Sequence, residues 1–297
     1  LLTATSAEDG SFSFENIPYG TWYVREIEQP AGFVLDDTIY PVTIGADGQV
    51  VEIKIVNKYV RGNIHLTKVD SEYPDNKLTG ATFEVYKDSN ANGKLDSGDE
   101  LLGTLTEKEK GEYSMNDLFH GRYFVKETKA PEGFVLDTGV YEVMIDTNGK
   151  IYEVENKAGV GFINDAMRGN LKIVKTSSDG KVKGFAFRIT GANGYDIILE
   201  TNDKGEIFID GLRIGDYTIS EVSNSASSMY VLPADKKATV KLGSTTIVEM
   251  HNVLRDTPKT GDTTNLPLLY ALAGLSAVGI AVCGVVGFKK KKKEDRN

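Results

Sequence analysis

The sequence predicts an all-β protein in which antiparallel β-sandwich domains stand in tandem and one C-terminal transmembrane helix follows them. Three observations predict this fold class. A motif repeats three times, short segments of alternating apolar and polar residues lie between Asp-Gly and Asn-Gly turns, and one long apolar stretch lies near the end. The segments are rich in Val, Ile, Tyr, Phe and Thr, residues that favour strands.

The repeated motif has two glycines ten positions apart and a glutamate sixteen positions after the first glycine. Its copies run from Gly10 to Glu26, from Gly111 to Glu127 and from Gly205 to Glu221. A segment that ends in lysine precedes two copies, at Lys68 and Lys175, and a segment that ends in asparagine follows all three, at Asn57, Asn156 and Asn252. The predicted divisions are 1–60, the C-terminal part of a truncated sandwich; 61–158 and 159–255, complete sandwiches; 256–265, a linker; 266–288, the transmembrane helix; and 289–297, a basic cytoplasmic tail.

These lysine, glutamate and asparagine side chains are predicted to point into the sandwiches. Strand side chains alternate between faces, so Lys68 shares a face with Ile64 and Leu66, and Glu127 shares one with Tyr123 and Val125. Buried polar groups are costly unless they are paired or chemically consumed. A buried Lys–Glu salt bridge is one outcome. The other is a reaction, because desolvation favours a neutral, nucleophilic amine and a protonated carboxyl that can shuttle protons while the amine attacks the asparagine.

The pattern resembles the Cna B-type (SpaA-like, prealbumin-like) domains of Gram-positive surface proteins over roughly residues 1 to 254. The resemblance implies intramolecular isopeptide bonds, each promoted by a catalytic acid. The implied sets are Lys68, Asn156 and Glu127 in the second domain, and Lys175, Asn252 and Glu221 in the third. The first domain has the equivalent Glu26 and Asn57, whereas their partner lysine is absent from the chain.

The end of the chain has three parts. Leu266 to Phe288 carries no charge and is long enough to span a bilayer, and five lysines follow it, which places the tail in the cytoplasm and the domains outside. Just before the span lies Thr257-Pro258-Lys259-Thr260-Gly261. The arrangement resembles an LPXTG-like sorting signal, with Thr257 where leucine is usual. It implies that sortase cleaves between Thr260 and Gly261 and passes Thr260 to an amine of a peptidoglycan precursor, the membrane holding the chain until then.

An insertion in the second domain fits part of a calcium-loop template. Its oxygen-bearing residues are Asp88, Asn90, Asn92, Asp96 and Asp99. The alternative is an Asx-rich hairpin loop, because no flanking helix pattern is present. No cofactor is required by the sequence, and Ca²⁺ at residues 88–99 is the one candidate.

The predicted function is structural. The formal net charge of −9 argues against nucleic-acid binding, and the single cysteine excludes an internal disulfide. We expect a non-enzymatic stalk and cell-wall anchor of a Gram-positive surface adhesin, attached covalently to the cell surface. Since no secretory signal opens the chain, we expect a missing N-terminal region to bind an unknown ligand. The alternatives are a sortase-polymerised pilin subunit and the tether of a surface enzyme.

Overall fold

A computed structural model describes residues 1–256, so the predicted sorting motif, transmembrane helix and basic tail lie outside the described residues. Strands dominate this part of the chain, as predicted, and one short 3-10 helix, η1 (Ala192–Gly194), interrupts them. None of the described helices is long and apolar enough to cross a membrane. The chain divides into two compact units. The first contains Leu1–Asn170, Asp210–Gly215 and Val240–Ser244, and the second contains Leu171–Ile209, Asp216–Thr239 and the described residues from 245 to 256.

The first domain contains two small antiparallel sheets. Its strands are β1 (Gly20–Val24), β2 (Phe33–Val34), β3 (Tyr40–Ile44) and β4 (Lys58–Tyr59). Strand β1 pairs with β3, and β2 pairs with β4. The apolar side chains here stay accessible, and Trp22 is 40% exposed.

The second domain is a sandwich of two sheets, and its last strand, at 162–164, lies beyond the predicted boundary at residue 158. Its strands are β5 (Arg61–Asp70), β6 (Thr82–Lys87), β7 (Glu100–Thr104), β8 (Thr106–Glu109), β9 (Glu112–Phe119), β10 (Gly121–Lys129), β11 (Val140–Ile145), β12 (Ile151–Glu153) and β13 (Phe162–Asn164). One sheet has the order β11-β10-β6-β7, and the other has the order β12-β5-β9-β8 with β13 also paired to β5. Between them lies a core that includes Ile64, Leu66, Phe83, Val125 and Phe162.

Strand β5 departs from the purely antiparallel pairing that the sequence predicts. Both β12 and β13 run parallel to it, with Phe162 opposite Lys68 and Asn164 opposite Asp70. The chain crosses to the other sheet along β10 and β11 before it returns, so its last strands approach β5 in the same direction. The parallel pairing of β5 with β13 brings the start and the end of the domain together.

The third domain also has two four-stranded sheets. Its strands are β14 (Arg168–Ser177), β15 (Ala186–Thr190), β16 (Asp196–Glu200), β17 (Glu206–Arg213), β18 (Gly215–Val222), β19 (Tyr230–Val231), β20 (Lys236–Val240) and β21 (Thr245–Leu254). The sheet orders are β17-β14-β21-β19 and β16-β15-β18-β20. Lys175 and Asn252 therefore lie on neighbouring strands, β14 and β21, of one sheet.

Candidate functional site

Lys68 is a fully buried amine in the second domain. Its side chain is 0% exposed, and Nζ donates hydrogen bonds to the carbonyl oxygens of Phe162 at 3.0 Å and Val69 at 3.3 Å. Burial lowers the pKa of Lys68 to about 8, although the negative charges of Glu127, Asp137 and Asp70 act in the opposite direction. The neutral, nucleophilic form of this amine is therefore more populated near neutral pH than that of an ordinary lysine.

Glu127 and Asn164 form a buried pair beside this lysine. Glu127 lies on β10 opposite Phe83, and its Oε2 accepts hydrogen bonds from Asn164 Nδ2 and from the Asp137 backbone N–H, both at 2.8 Å. Asn164 Nδ2 also donates to the Val135 carbonyl at 2.5 Å. Burial is the main cause that raises the pKa of Glu127, which favours the protonated acid.

The sequence groups Asn156 with Lys68 and Glu127, but in the structure it is the side chain of Asn164 that contacts Glu127. The Asn156 amide instead donates to Asp137 Oδ2 at 2.6 Å and to the Ile163 carbonyl at 2.8 Å, and its Oδ1 accepts the Ile163 backbone N–H at 2.6 Å. A hairpin excursion closed by the Lys157–Gly161 bridge separates the two asparagines and carries the chain back to β5. Asn156 thus holds the strand on which Asn164 lies.

A second spacing in the sequence identifies Asn164. In the first domain Asn57 is followed four and five residues later by Arg61 and Gly62. Asn164 has the same relation to Arg168 and Gly169, whereas Asn156 does not. The spacing from the asparagine to the next domain is therefore a better guide here than the spacing from the glutamate, because the hairpin closed by the Lys157–Gly161 bridge lengthens the segment between Glu127 and Asn164.

In the third domain the structure brings together the three residues that the sequence predicts. Lys175 and Asn252 are 1% and 0% exposed, and Asn252 Nδ2 donates to Glu221 Oε1 at 2.6 Å. Lys175 Nζ donates to the Thr176 carbonyl at 2.5 Å and lies 4.1 Å from the ring centroid of Phe185. Burial lowers the pKa of Lys175 and raises the pKa of Glu221, in the same directions as in the second domain.

The two sites share a pattern of unsatisfied oxygens. Glu127 Oε1 and Asn164 Oδ1 are buried without a hydrogen-bond partner, and so are Glu221 Oε2 and Asn252 Oδ1. Buried acceptors without a donor are costly, and native structures contain few of them. A proton on the glutamate would supply the missing donor between the carboxyl and the amide, which is the proton that an attack on the amide carbon requires.

The first domain contains the same acid and amide in a more open setting. Asn57 Nδ2 donates to both carboxylate oxygens of Glu26, at 2.8 and 2.7 Å, and to the Val34 carbonyl at 3.2 Å. The Asp36 backbone N–H donates to Glu26 Oε2 at 2.7 Å, as that of Asp137 does to Glu127. Both residues are half-buried. The equivalence of Asn57 with Asn164, and of Val34 with Val135, supports the corrected assignment.

In the second and third domains, the first glycine of the repeated motif holds the strand that carries the lysine in place. The backbone N–H of Lys68 donates to the Gly111 carbonyl at 2.7 Å, and that of Lys175 donates to the Gly205 carbonyl at 2.7 Å. A Cβ atom on Gly111 would lie 2.9 Å from the Lys68 carbonyl oxygen, and one on Gly205 would lie 2.7 Å from the Lys175 carbonyl oxygen. Since both glycines also have positive φ, no other residue fits these positions without strain.

The loop at residues 88–99 is organised by its own Asx side chains. Asp88 accepts the backbone N–H groups of Asn92 and Gly93, at 3.2 and 3.1 Å, while Asp96 accepts side-chain amides from Asn90 and Asn92. Asp99 accepts two further backbone N–H groups. Within residues 1–256, no group of three or more His, Cys, Asp or Glu side chains is placed to hold a metal ion. Calcium at this loop stays a prediction.

The fold and the buried triads define a class of protein built from repeated β-sandwich domains. The chain belongs to the family described as SpaA, prealbumin-like fold domain, which it matches over residues 1–59, 62–158 and 169–253.

The proteins that this chain resembles are considerably longer than it is. The trypsin-resistant surface T6 protein of Streptococcus pyogenes serotype M6 is 28% identical over 194 residues, which is 64% of this chain and 32% of that protein. Colossin-A of Dictyostelium discoideum is 24% identical over 254 residues, covering 74% of this chain and 2% of its own length. The solved structure of the Bacillus anthracis TIE protein is 26% identical with a TM-score of 0.64, covering 84% of this chain and 45% of that one. The chain therefore spans less than half of each.

Proposed function

We propose that this chain is a covalently stiffened stalk segment of a bacterial surface protein, with one self-formed isopeptide bond in each of its second and third domains. The bonds join Lys68 to Asn164 and Lys175 to Asn252, and Glu127 and Glu221 are the acids that promote them. The observation that carries this proposal is the recurrence of a buried lysine beside a buried glutamate–asparagine pair in both domains.

The reaction balances within each domain. Neutral Lys68 Nζ attacks Asn164 Cγ, a new C–N bond forms, and the bond from Cγ to Nδ2 breaks with release of ammonia. Glu127 lends its proton to the amide oxygen as charge develops there. The carboxylate then takes a proton from the attacking amine and passes it to the leaving nitrogen, and the proton on the oxygen returns to the carboxylate when the carbonyl re-forms. The product is a neutral secondary amide, which replaces the buried amine and the buried primary carboxamide of the unreacted core.

Each bond would tie the first strand of a domain to its last. Pulling on the chain would then load a covalent link between β5 and β13, or between β14 and β21, and leave the sequence between them folded. Closing loops of this size also stabilises the folded state by about 4–5 kcal/mol in the chain-entropy picture. These properties suit a tether that displays another domain at a distance from the cell.

The sequence beyond residue 256 supports attachment to the cell wall. We propose that sortase cleaves between Thr260 and Gly261 and joins Thr260 to a peptidoglycan precursor, and that the segment 266–288 holds the chain in the membrane until then. The similarity to a streptococcal surface protein supports a location on the cell surface. No turnover enzyme is proposed for residues 1–256, because each isopeptide reaction occurs once.

Intact-mass spectrometry of the full chain tests the cross-links. The chain should weigh less than its sequence by two ammonias, and tryptic digestion should yield branched peptides that contain Lys68 with Asn164 and Lys175 with Asn252. The double variant Glu127→Ala plus Glu221→Ala should recover the full mass. Glu109→Ala, a change at an exposed strand glutamate, should keep the loss of both ammonias. Separate, unaltered Lys68 and Asn164 peptides from the unchanged chain would refute the proposal.

A further inference from the structure

The end of strand β5 carries a second buried charge, two residues beyond Lys68. Asp70 is 0% exposed, and it lies opposite Asn164 in the parallel pairing of β5 with β13. Two residues apart on one strand, Lys68 and Asp70 lie on the same face. The carboxylate of Asp70 therefore lies on the same face of the strand as the reacting amine, and its negative charge is one of the causes that raise the pKa of Lys68.

Arg213 neutralises this carboxylate from outside the second domain. Its guanidinium makes a two-pronged contact, with Nη1 2.5 Å from Asp70 Oδ2 and Nη2 2.6 Å from Asp70 Oδ1. Arg213 also contacts Glu72, with Nε 2.8 Å from Oε2, and its guanidinium carbon lies 4.8 Å from the ring centroid of Tyr73. It ends strand β17 of the third domain, although residues 210–215 belong to the same compact unit as Asp70.

This geometry has an electrostatic consequence. A buried carboxylate without its cation would stabilise the ammonium form of Lys68, since opposite charges attract strongly away from water. The other acidic groups that act on Lys68 are Glu127 on β10 and Asp137 in the segment that follows it. The raised pKa of Glu127 favours its neutral acid form. The bidentate contact from Arg213 offsets the negative charge of Asp70 beside the amine of Lys68, which must be neutral to react.

We propose that Arg213 is a positioning residue for the cross-link of the preceding domain: by pairing with Asp70 it keeps Lys68 in its reactive form, so that the second domain closes its isopeptide bond efficiently once β17 of the third domain is in place. This inference rests on the proposed function. It adds that the two domains do not react independently, and that the third must fold before the second reacts at full rate.

The test measures the rate of each bond separately in the full chain. The chain is synthesised in a cell-free reaction, arrested in urea before it folds, and diluted into buffers on both sides of the Lys68 pKa of about 8. Branched peptides are then quantified by mass spectrometry over time. Arg213→Met should slow formation of the Lys68–Asn164 bond by about tenfold below that pH, the change that one pKa unit produces, and should move the midpoint of the pH–rate profile upward.

Three comparisons separate an electrostatic role from a structural one. Arg168→Met removes a neighbouring guanidinium that contacts Glu72, and should leave the rate near that of the unchanged chain. The Lys175–Asn252 bond, formed in the same molecules, should keep its rate. Adding Asp70→Asn to Arg213→Met should restore the midpoint, because the uncompensated charge is then gone.

An unchanged pH–rate profile in Arg213→Met would overturn the inference, and so would a loss of rate that Asp70→Asn does not rescue. These results differ from failure of the proposed function, in which the unchanged chain itself forms no Lys68–Asn164 bond.

Discussion

The carbonyl of Gly111 accepts the backbone N–H of Lys68 at 2.7 Å, and Gly205 holds Lys175 at the same distance in the next domain. A glycine distant in the sequence thus fixes the position of the strand that carries the lysine. Its lack of a side chain is what allows the approach, since a Cβ atom on Gly111 would lie 2.8 Å from Lys77 Cβ and 2.9 Å from the Lys68 carbonyl oxygen.

Replacing Gly111 with alanine should therefore destabilise the second domain strongly. Gly149 is a matched control, because its φ of 76° is close to the 70° of Gly111 and a Cβ atom added to it would meet no other atom within 4 Å. Gly149→Ala should cost about 1–2 kcal/mol from the left-handed backbone alone. Gly111→Ala should cost about 3 kcal/mol or more, because its neighbours must also move. Chemical denaturation of both variants measures the difference, and equal losses would contradict this account.

The two asparagines of the second domain should behave differently when each is changed to alanine. Asn164→Ala should abolish the loss of one ammonia, since it removes the carbon that Lys68 attacks. Asn156→Ala should retain the loss of both ammonias, because Asn156 contacts Asp137 and Ile163 rather than Glu127. Intact mass distinguishes the variants. A full cross-link in Asn164→Ala together with its loss in Asn156→Ala would return the role to Asn156.

The unreacted amine should make stability depend on pH. In Asn164→Ala, Lys68 stays free, with a folded-state pKa of about 8 against an ordinary value of 10.5. Between these values the native state binds fewer protons than the unfolded state, so the free energy of unfolding should rise with pH, by on the order of 3 kcal/mol across the window. Below the window this stabilisation is lost.

The double variant Asn164→Ala plus Lys68→Met is the control, since it lacks the titrating amine and keeps a side chain of similar length. Denaturation at several pH values gives the difference between the two variants. A difference that stays constant across the window would show that Lys68 is not desolvated as the structure indicates.

Sorting should depend on Thr260 and not on nearby threonines. Thr260→Ala should leave the protein in the membrane fraction of the producing cells, because the acyl group that sortase transfers belongs to this residue. Thr263→Ala, three positions later, should permit normal release into the wall fraction by muramidase digestion. Wall attachment of Thr260→Ala at the level of the Thr263→Ala variant would exclude the proposed cleavage site.

Sequence reasoning located most of the fold because strand alternation and the repeated motif are local signals. The alternation of apolar and polar residues along the strands correctly predicts that four side chains point toward the core, those of Lys68, Glu127, Lys175 and Glu221. It could not choose between Asn156 and Asn164, since both follow apolar segments and the hairpin that separates them changes the strand that reaches β5. The contact between Arg213 and Asp70 had no local signal either, because 143 positions separate the two residues.

The parallel pairing of β5 with β13 determines how the second domain meets force. When one end of the chain is pulled at Arg61 and the other beyond Asn164, two neighbouring strands that run in the same direction are drawn past each other lengthwise. Their hydrogen bonds are then sheared together rather than unzipped one after another. Because shearing is the more resistant geometry, the second domain should resist pulling even before its isopeptide bond has formed.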